Sequence, residues 1–199
     1  MEETHALFEI RRQKMLALRE KGVPFETIWD EPWGEHTVTP RYNPLAKLPI
    51  LLTEEGEALY ESNYLLEWIE RRYPRPTLLP RDDDGILEAK RLMVLADGIM
   101  EAGSWLIREL TRSESSNAWI ERQRAKITRA SETIAAAIGD DGFAVRDDFG
   151  QADIAITVNL KMIDTFAELF DAPVEETSWR IRLPRLADYV DRIDDRPSF

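Results

Sequence analysis

The 199-residue sequence contains no cysteine. That excludes disulfides, thiolate metal sites and a cysteine nucleophile. Histidine is nearly absent as well, and His5 and His36 alone cannot supply a zinc site of ordinary ligand count. No metal is therefore expected. No apolar run approaches the ~18 residues a membrane span requires. Basic residues are in deficit, with 26 Lys and Arg against 38 Asp and Glu and a formal net charge of -12. Nucleic acid and anionic membrane are held through Lys and Arg, so neither is expected as a partner. The opening Met1-Glu2-Glu3-Thr4-His5 carries acids where a signal peptide carries bases, so a cytoplasmic location is expected.

What remains is an ordinary globular composition. Hydrophobic residues make up 43%, enough for one core or two small ones. Residues 9–21 read as a helix of good helix formers, with Gly22 placed as a left-handed C-terminal cap and Pro24 beyond it. Phe25-Glu26-Thr27-Ile28-Trp29 alternates like a short strand. Residues 30–46 read as loop with one irregular helical turn. Leu48-Pro49-Ile50-Leu51-Leu52 and Ala58-Leu59-Tyr60 form a hairpin about the turn Glu54-Glu55-Gly56-Glu57. Ser62 reads as the N-cap of a helix ending before Tyr73-Pro74.

Pro74, Pro76 and Pro80 with Arg81-Asp82-Asp83-Asp84 mark a boundary, because prolines and like charges suit neither helix nor core. This divides the chain into a domain over 1–75, a linker over 76–84 and a domain over 85–199. The last part reads as helices only. Ile86 to Leu110 is one. Trp119, Gln123, Ile127, Ala130, Ile134 and Ala137 recur at helical spacing in a second. Ile154 to Phe170 is an apolar helix central to that core, and Leu186, Tyr189, Val190 and Ile193 share one face of the last. A helical crossover between parallel strands needs a strand ahead of the first helix, and only Thr4-His5-Ala6-Leu7-Phe8 offers one.

Chemistry concentrates in Asn43-Pro44-Leu45-Ala46-Lys47-Leu48-Pro49 and Glu61-Ser62. Proline in an internal strand removes a ladder donor. Either this is an edge strand with a trans proline, or the Leu48-Pro49 bond is cis at the strand entrance. A cis bond would free the Leu48 N–H and C=O to pair with an extended ligand as an added strand does. Glu61-Ser62 stands where a strand gives way to a helix, a position favouring an anion. Ser62 could take a ligand carboxylate and Glu61 an ammonium, or the two could simply cap the helix.

These motifs, in this order, resemble the glutathione S-transferase family. The family pattern is Asn-Pro-x-x-Lys-Val-Pro, a short hairpin, and Glu/Asp-Ser at the head of a helix. Leu16-Ala17-Leu18-Arg19-Glu20-Lys21-Gly22-Val23-Pro24-Phe25-Glu26 is similar to its first helix and following strand. Phe149-Gly150-Gln151-Ala152-Asp153-Ile154-Ala155 is similar to its helix-capping motif, with Gly150 in place of the usual Ser or Thr. The resemblance implies an α/β thioredoxin-like N-terminal domain followed by an all-α C-terminal domain, and glutathione as cosubstrate. It implies that Leu48 pairs through its backbone with the cysteinyl part of glutathione. Pro49 would be the cis proline, Glu61 and Ser62 would hold the γ-glutamyl end, and Lys47 would reach the glycyl carboxylate. It further implies a homodimer, a small hydrophobic electrophile, Asp97 reaching a partner subunit's site, and a second pocket between the domains lined by aromatics such as Trp105 or Phe166.

One element departs from the pattern. The family activates the glutathione thiol with a Ser, Tyr or Cys hydrogen-bond donor between its first strand and first helix, favouring the thiolate. Ungapped alignment on Glu20-Lys21-Gly22 puts Phe8-Glu9-Ile10 there, so no catalytic residue is assigned. Three readings stay open: the start is misassigned or altered so that the real first strand is missing, the fold persists without catalysis as a binding or regulatory module for a protein partner, or Thr4 or His5 supplies the donor.

Overall fold

A computed structural model describes residues 13–31, 34–138, 142–169 and 178–199. The chain separates into two compact units, the first running to Leu78 and the second starting at Leu79.

The first unit is α/β. Helix α1 spans 13–20, with Leu16 and Ala17 fully buried; residues 9–12 of the expected helix lie outside the described residues. It stops at Gly22 with φ +64. Gly22 N–H bonds to Arg19 O, and Val23 N–H to Leu18 O, both at 2.9 Å. This is the left-handed cap for which glycine is suited, since it has no Cβ to clash. A single turn, α2 (Thr39–Tyr42), precedes the hairpin β1 (Ile50–Leu52) and β2 (Ala58–Tyr60). The strands pair antiparallel, with Ile50 opposite Tyr60 and Leu52 opposite Ala58. Gly56 takes φ +84 in the turn, as its position predicts. Helix α3 (Ser62–Arg72) follows, burying Leu65, Leu66 and Ile69.

Two expectations are corrected in this unit. Phe25–Trp29 forms no strand: no described segment pairs with it, and Ile28 and Trp29 are 71% and 54% exposed. Alternation alone does not make a strand, because its backbone needs a neighbouring ladder. Its candidate neighbour, Thr4 to Phe8, lies outside the described residues. The N-cap of α3 is Glu61, not Ser62. The Glu61 carboxylate accepts from Asn63 N–H at 3.1 Å and Tyr64 N–H at 3.0 Å, and Ser62 is the first helical residue.

Buried polar contacts tie α1 to the end of α3. Lys21 Nζ donates to the carbonyls of Tyr73 and Pro76, each at 2.7 Å, and lies 2.8 Å from Glu70. Those carbonyls lie at and beyond the negative end of a helix dipole, where a cation is favoured.

The second unit is all helical: α4 (Asp83–Leu110), α5 (Asn117–Ala137), α6 (Gln151–Leu169), α7 (Trp179–Arg182) and α8 (Pro184–Asp194). Asp83 and Asp84, read from sequence as linker, form the first turn of α4, where the positive dipole end favours them. Asp82 caps the turn by accepting from Gly85 N–H at 2.8 Å. Helix α6 is the centre of the core: Gln151 to Leu160 are all buried, as a helix packed on every side must be. At its start Asp153 accepts from Gly150 N–H at 2.8 Å, the half of the cap that a glycine permits. Its other oxygen accepts from Ala144 N–H at 2.8 Å and Tyr189 O–H at 2.6 Å, joining the preceding loop and α8 to α6. Burial raises the Asp153 carboxyl pKa, and these hydrogen bonds pull against that rise.

No described helix is long and apolar enough to cross a membrane. No described cluster of His, Asp and Glu could hold a metal ion.

Candidate functional site

The residues singled out by sequence gather at one end of the hairpin. Ile50 pairs with Tyr60, so Lys47, Leu48 and Pro49 enter the hairpin at the same end from which Glu61 and Ser62 leave it. Two departures end regular pairing there. The Leu48-Pro49 peptide is cis, the alternative that would free Leu48, and Glu61 takes φ +82. A non-glycine residue in that region is held by its surroundings. The carboxylate cap from Glu61 to the first turn of α3 supplies part of that hold.

The loop entering β1 is built on a residue the sequence reading did not assign a role. Asn43 is 2% exposed. Its amide nitrogen donates to Lys47 O at 2.7 Å, and its Oδ1 accepts from Leu45 N–H at 2.9 Å. Its carbonyl accepts from Ala46 N–H at 2.8 Å. Asn side chains commonly satisfy backbone groups two residues on, and this one closes the turn from both sides. Ala46 takes φ +51 inside it. The signal was present in Asn-Pro four residues before Lys47, but the burial of the amide was not.

Upstream, Asp30 organises the entry to α2. It accepts from Thr37 Oγ1 at 2.7 Å, Thr39 N–H at 2.8 Å, Val38 N–H at 3.3 Å and the Thr39 hydroxyl. Burial pushes its carboxyl up, but the hydrogen bonds from Thr39, Thr37 and Val38 outweigh that and hold its pKa down at about 2.

Several groups at the hairpin end are left open. The Leu48 N–H and C=O bond to no described residue, and neither does the Ser62 hydroxyl. The Lys47 side chain is exposed and makes no ion pair with a described residue. Pro49 is buried, fixing the chain next to Leu48. The Glu61 carboxylate is already engaged with the first turn of α3. The hairpin end therefore presents a strand-like donor and acceptor, a hydroxyl beside a helix N-terminus, and a nearby cation. An extended peptide carrying carboxylates matches that set.

Other candidates fall differently. Asp97 of α4 accepts from Asn159 Nδ2 of α6 at 3.2 Å, a bond inside its own unit. Phe166 lines a cavity within the second unit. Trp105 is 45% exposed, with the Arg108 guanidinium 5.5 Å from its ring centre. Phe8, Glu9 and Ile10, together with Thr4 and His5, lie outside the described residues.

Comparison with known proteins agrees with the order of motifs. The profile of the glutathione S-transferase N-terminal domain matches residues 14–72, and that of the C-terminal domain matches residues 117–192. The chain is 34% identical over 190 residues to the glutathione-transferase-like protein YibF of Escherichia coli K12, covering 94% of this chain and 90% of that protein. A glutathione S-transferase structure from Methylobacterium radiotolerans, solved with glutathione sulfonate, superposes with a TM-score of 0.85 at 41% identity, covering 96% and 88% of the two chains. Another from Methylobacillus flagellatus, solved with glutathione bound, gives a TM-score of 0.82 at 26% identity, covering 94% and 90%. The fold is a thioredoxin-like α/β unit followed by a helical unit, and the chain belongs to the glutathione S-transferase family.

Proposed function

We propose that this chain binds glutathione at the hairpin end and presents its thiol to a small hydrophobic electrophile, working as a cytoplasmic homodimer. The observation that carries the reading is the pair of open groups at one site, the Leu48 backbone and the Ser62 hydroxyl. Leu48 pairs with the cysteinyl backbone. Ser62 takes the γ-glutamyl carboxylate, aided by the helix N-terminus behind it. Glu61 shapes that corner by capping α3 and offers a negative charge to the γ-glutamyl ammonium. Pro49 holds the edge, and Lys47 takes the glycyl carboxylate. The complex of the Methylobacterium relative with glutathione sulfonate and that of the Methylobacillus relative with glutathione support the ligand.

The test is calorimetric titration with glutathione of the parent chain, Ser62→Ala and Lys47→Ala. Saturable binding weakened about tenfold in Ser62→Ala is expected, near the worth of one charge-assisted hydrogen bond. A folded parent chain that takes up no glutathione at millimolar concentration overturns the reading.

A second reading rests on Phe8-Glu9-Ile10, which offers no hydroxyl or thiol donor where the family places one. On it the chain binds glutathione without ionising its thiol. Turnover of a nitroaryl chloride separates the two. In that reaction the sulfur–carbon bond forms as chloride leaves and the thiol proton passes to solvent. A rate no greater than that of free glutathione, from a chain that binds it, supports the second reading.

A further inference from the structure

Between Asp30 and Pro49 the described residues contain one regular element, the single turn α2. So long an irregular stretch in a compact fold is usually functional or disordered. Here two polar clasps hold it, and they meet at Thr39.

Thr39 is 1% exposed. Its N–H donates to Asp30 Oδ2 at 2.8 Å, and its hydroxyl donates to the same oxygen. Its carbonyl accepts from Asn43 N–H at 2.9 Å. The Asn43 side chain then donates to Lys47 O at 2.7 Å. A continuous hydrogen-bonded path thus runs from Asp30 to the Lys47 carbonyl. The Lys47-Leu48 peptide is trans, so its C=O and N–H lie in one plane and point in opposite directions. The bond that fixes Lys47 O on Asn43 therefore turns the Leu48 N–H away from Asn43.

The Asp30 end suits a carboxylate. Thr37 Oγ1, Val38 N–H, Thr39 N–H and the Thr39 hydroxyl all donate to it. An Asn amide has one acceptor oxygen and would set its NH2 against one of these donors. A one-turn helix has few bonds of its own, so its place is set by what grips its ends.

We infer that Asp30 is a positioning residue of the glutathione site proposed above, on which its role rests. Through Thr39 and Asn43 it holds the Lys47-Leu48 peptide in the direction that meets the cysteinyl and glycyl parts of the ligand. Asp30 itself touches no ligand atom. A site held beforehand in its binding geometry loses less freedom when the ligand arrives.

The test is calorimetric titration of glutathione into the parent chain and five variants. These are Asp30→Asn, Ser62→Ala, Asp153→Asn, Asn43→Ser, and Asp30→Asn combined with Asn43→Ser. Asp30→Asn is expected to weaken binding about fivefold, within the range of coupling through a packed network. Asp153→Asn, which disturbs the second unit, is expected to lower stability and leave affinity unchanged. Adding Asp30→Asn to Asn43→Ser is expected to cost no further affinity, because the path is already broken at Asn43. A folded Asp30→Asn chain that binds like the parent overturns the inference. So does an equal loss in Asp153→Asn, which makes the effect one of stability, and so does full additivity with Asn43→Ser. If Asn43→Ser does not fold, Asp30→Asn against Asp153→Asn decides the matter. Ser62→Ala keeps the two readings apart. Weakened binding there, with none lost in Asp30→Asn, sinks only the role of Asp30; a parent chain that binds no glutathione sinks the site and that role together.

Discussion

A single carboxylate, Asp30, gathers donors from Thr37, Val38 and Thr39 and so shapes the chain leading to the hairpin site. Its pKa is about 2 in the folded chain against an ordinary 3.8. A carboxyl depressed on folding adds stability above the unfolded value, and that contribution is lost as pH falls through the folded one. Asp30 therefore stabilises the fold at neutral pH, and its share disappears between pH 3.8 and about 2. Asp30→Ala is expected to cost about 2 kcal/mol at neutral pH, as charge-assisted bonds do, and to flatten acid unfolding in that window, read by circular dichroism. Lys21 carries a larger effect. Its side chain is wholly buried, and Lys21→Met would leave the Tyr73 and Pro76 carbonyls without their donor and Glu70 without its cation, held only by Thr77 and the Leu78 N–H. A loss of about 3 kcal/mol in urea unfolding is expected, because removing one partner leaves a buried charge uncompensated. Sequence made Lys21 look like any lysine at a helix end; only the arrival of the α3 terminus gives it partners.

Among the elements, α3 shows how one position can be misread by one residue. Glu61-Ser62 fits a cap on either residue, since both offer a side-chain oxygen to the first turn. The backbone decides: Glu61 stands outside the helix at φ +82 and Ser62 inside it. Glu61→Ala removes the cap and keeps the unfavourable φ, and is expected to destabilise by about 1 kcal/mol. Glu61→Gly also loses the cap but relieves the φ, so thermal unfolding should rank it above Glu61→Ala. At α6, Asp153→Asn puts an amide group against backbone donors at Gly150 or Ala144. A loss of about 2 kcal/mol follows from the unsatisfied bond, measured by urea unfolding. The Phe25–Trp29 segment is the converse case. Its alternation was legible, but strand formation depends on a neighbour that local pattern does not supply.

Over the whole molecule the net charge of -12 opposes compaction, since like charges repel across the surface. Raising ionic strength from ~0.01 M to ~0.15 M shortens the screening length and is expected to raise the unfolding temperature. If added salt lowers it instead, local ion pairs such as Lys21–Glu70 outweigh the net repulsion. The proposed homodimer has its own measurement: sedimentation equilibrium should return twice the chain mass of 23.0 kDa.

The sequence by itself determined the change from an α/β part to an all-helical part. It also determined the hairpin with its glycine turn, the glycine stop of α1, the Asp153 cap and the buried face of α8. Each of these is written in local periodicity or in residues with narrow backbone preferences, which act over a few positions. Tertiary structure decided the rest. The burial of Asn43 and Lys21, the choice of Glu61 as cap, the bond from Tyr189 to Asp153 and the cavity beside Arg182 all join residues distant in sequence or settle between equal local options. Polar groups take their meaning from what desolvates them and what pairs with them, and those partners arrive only with the packed fold.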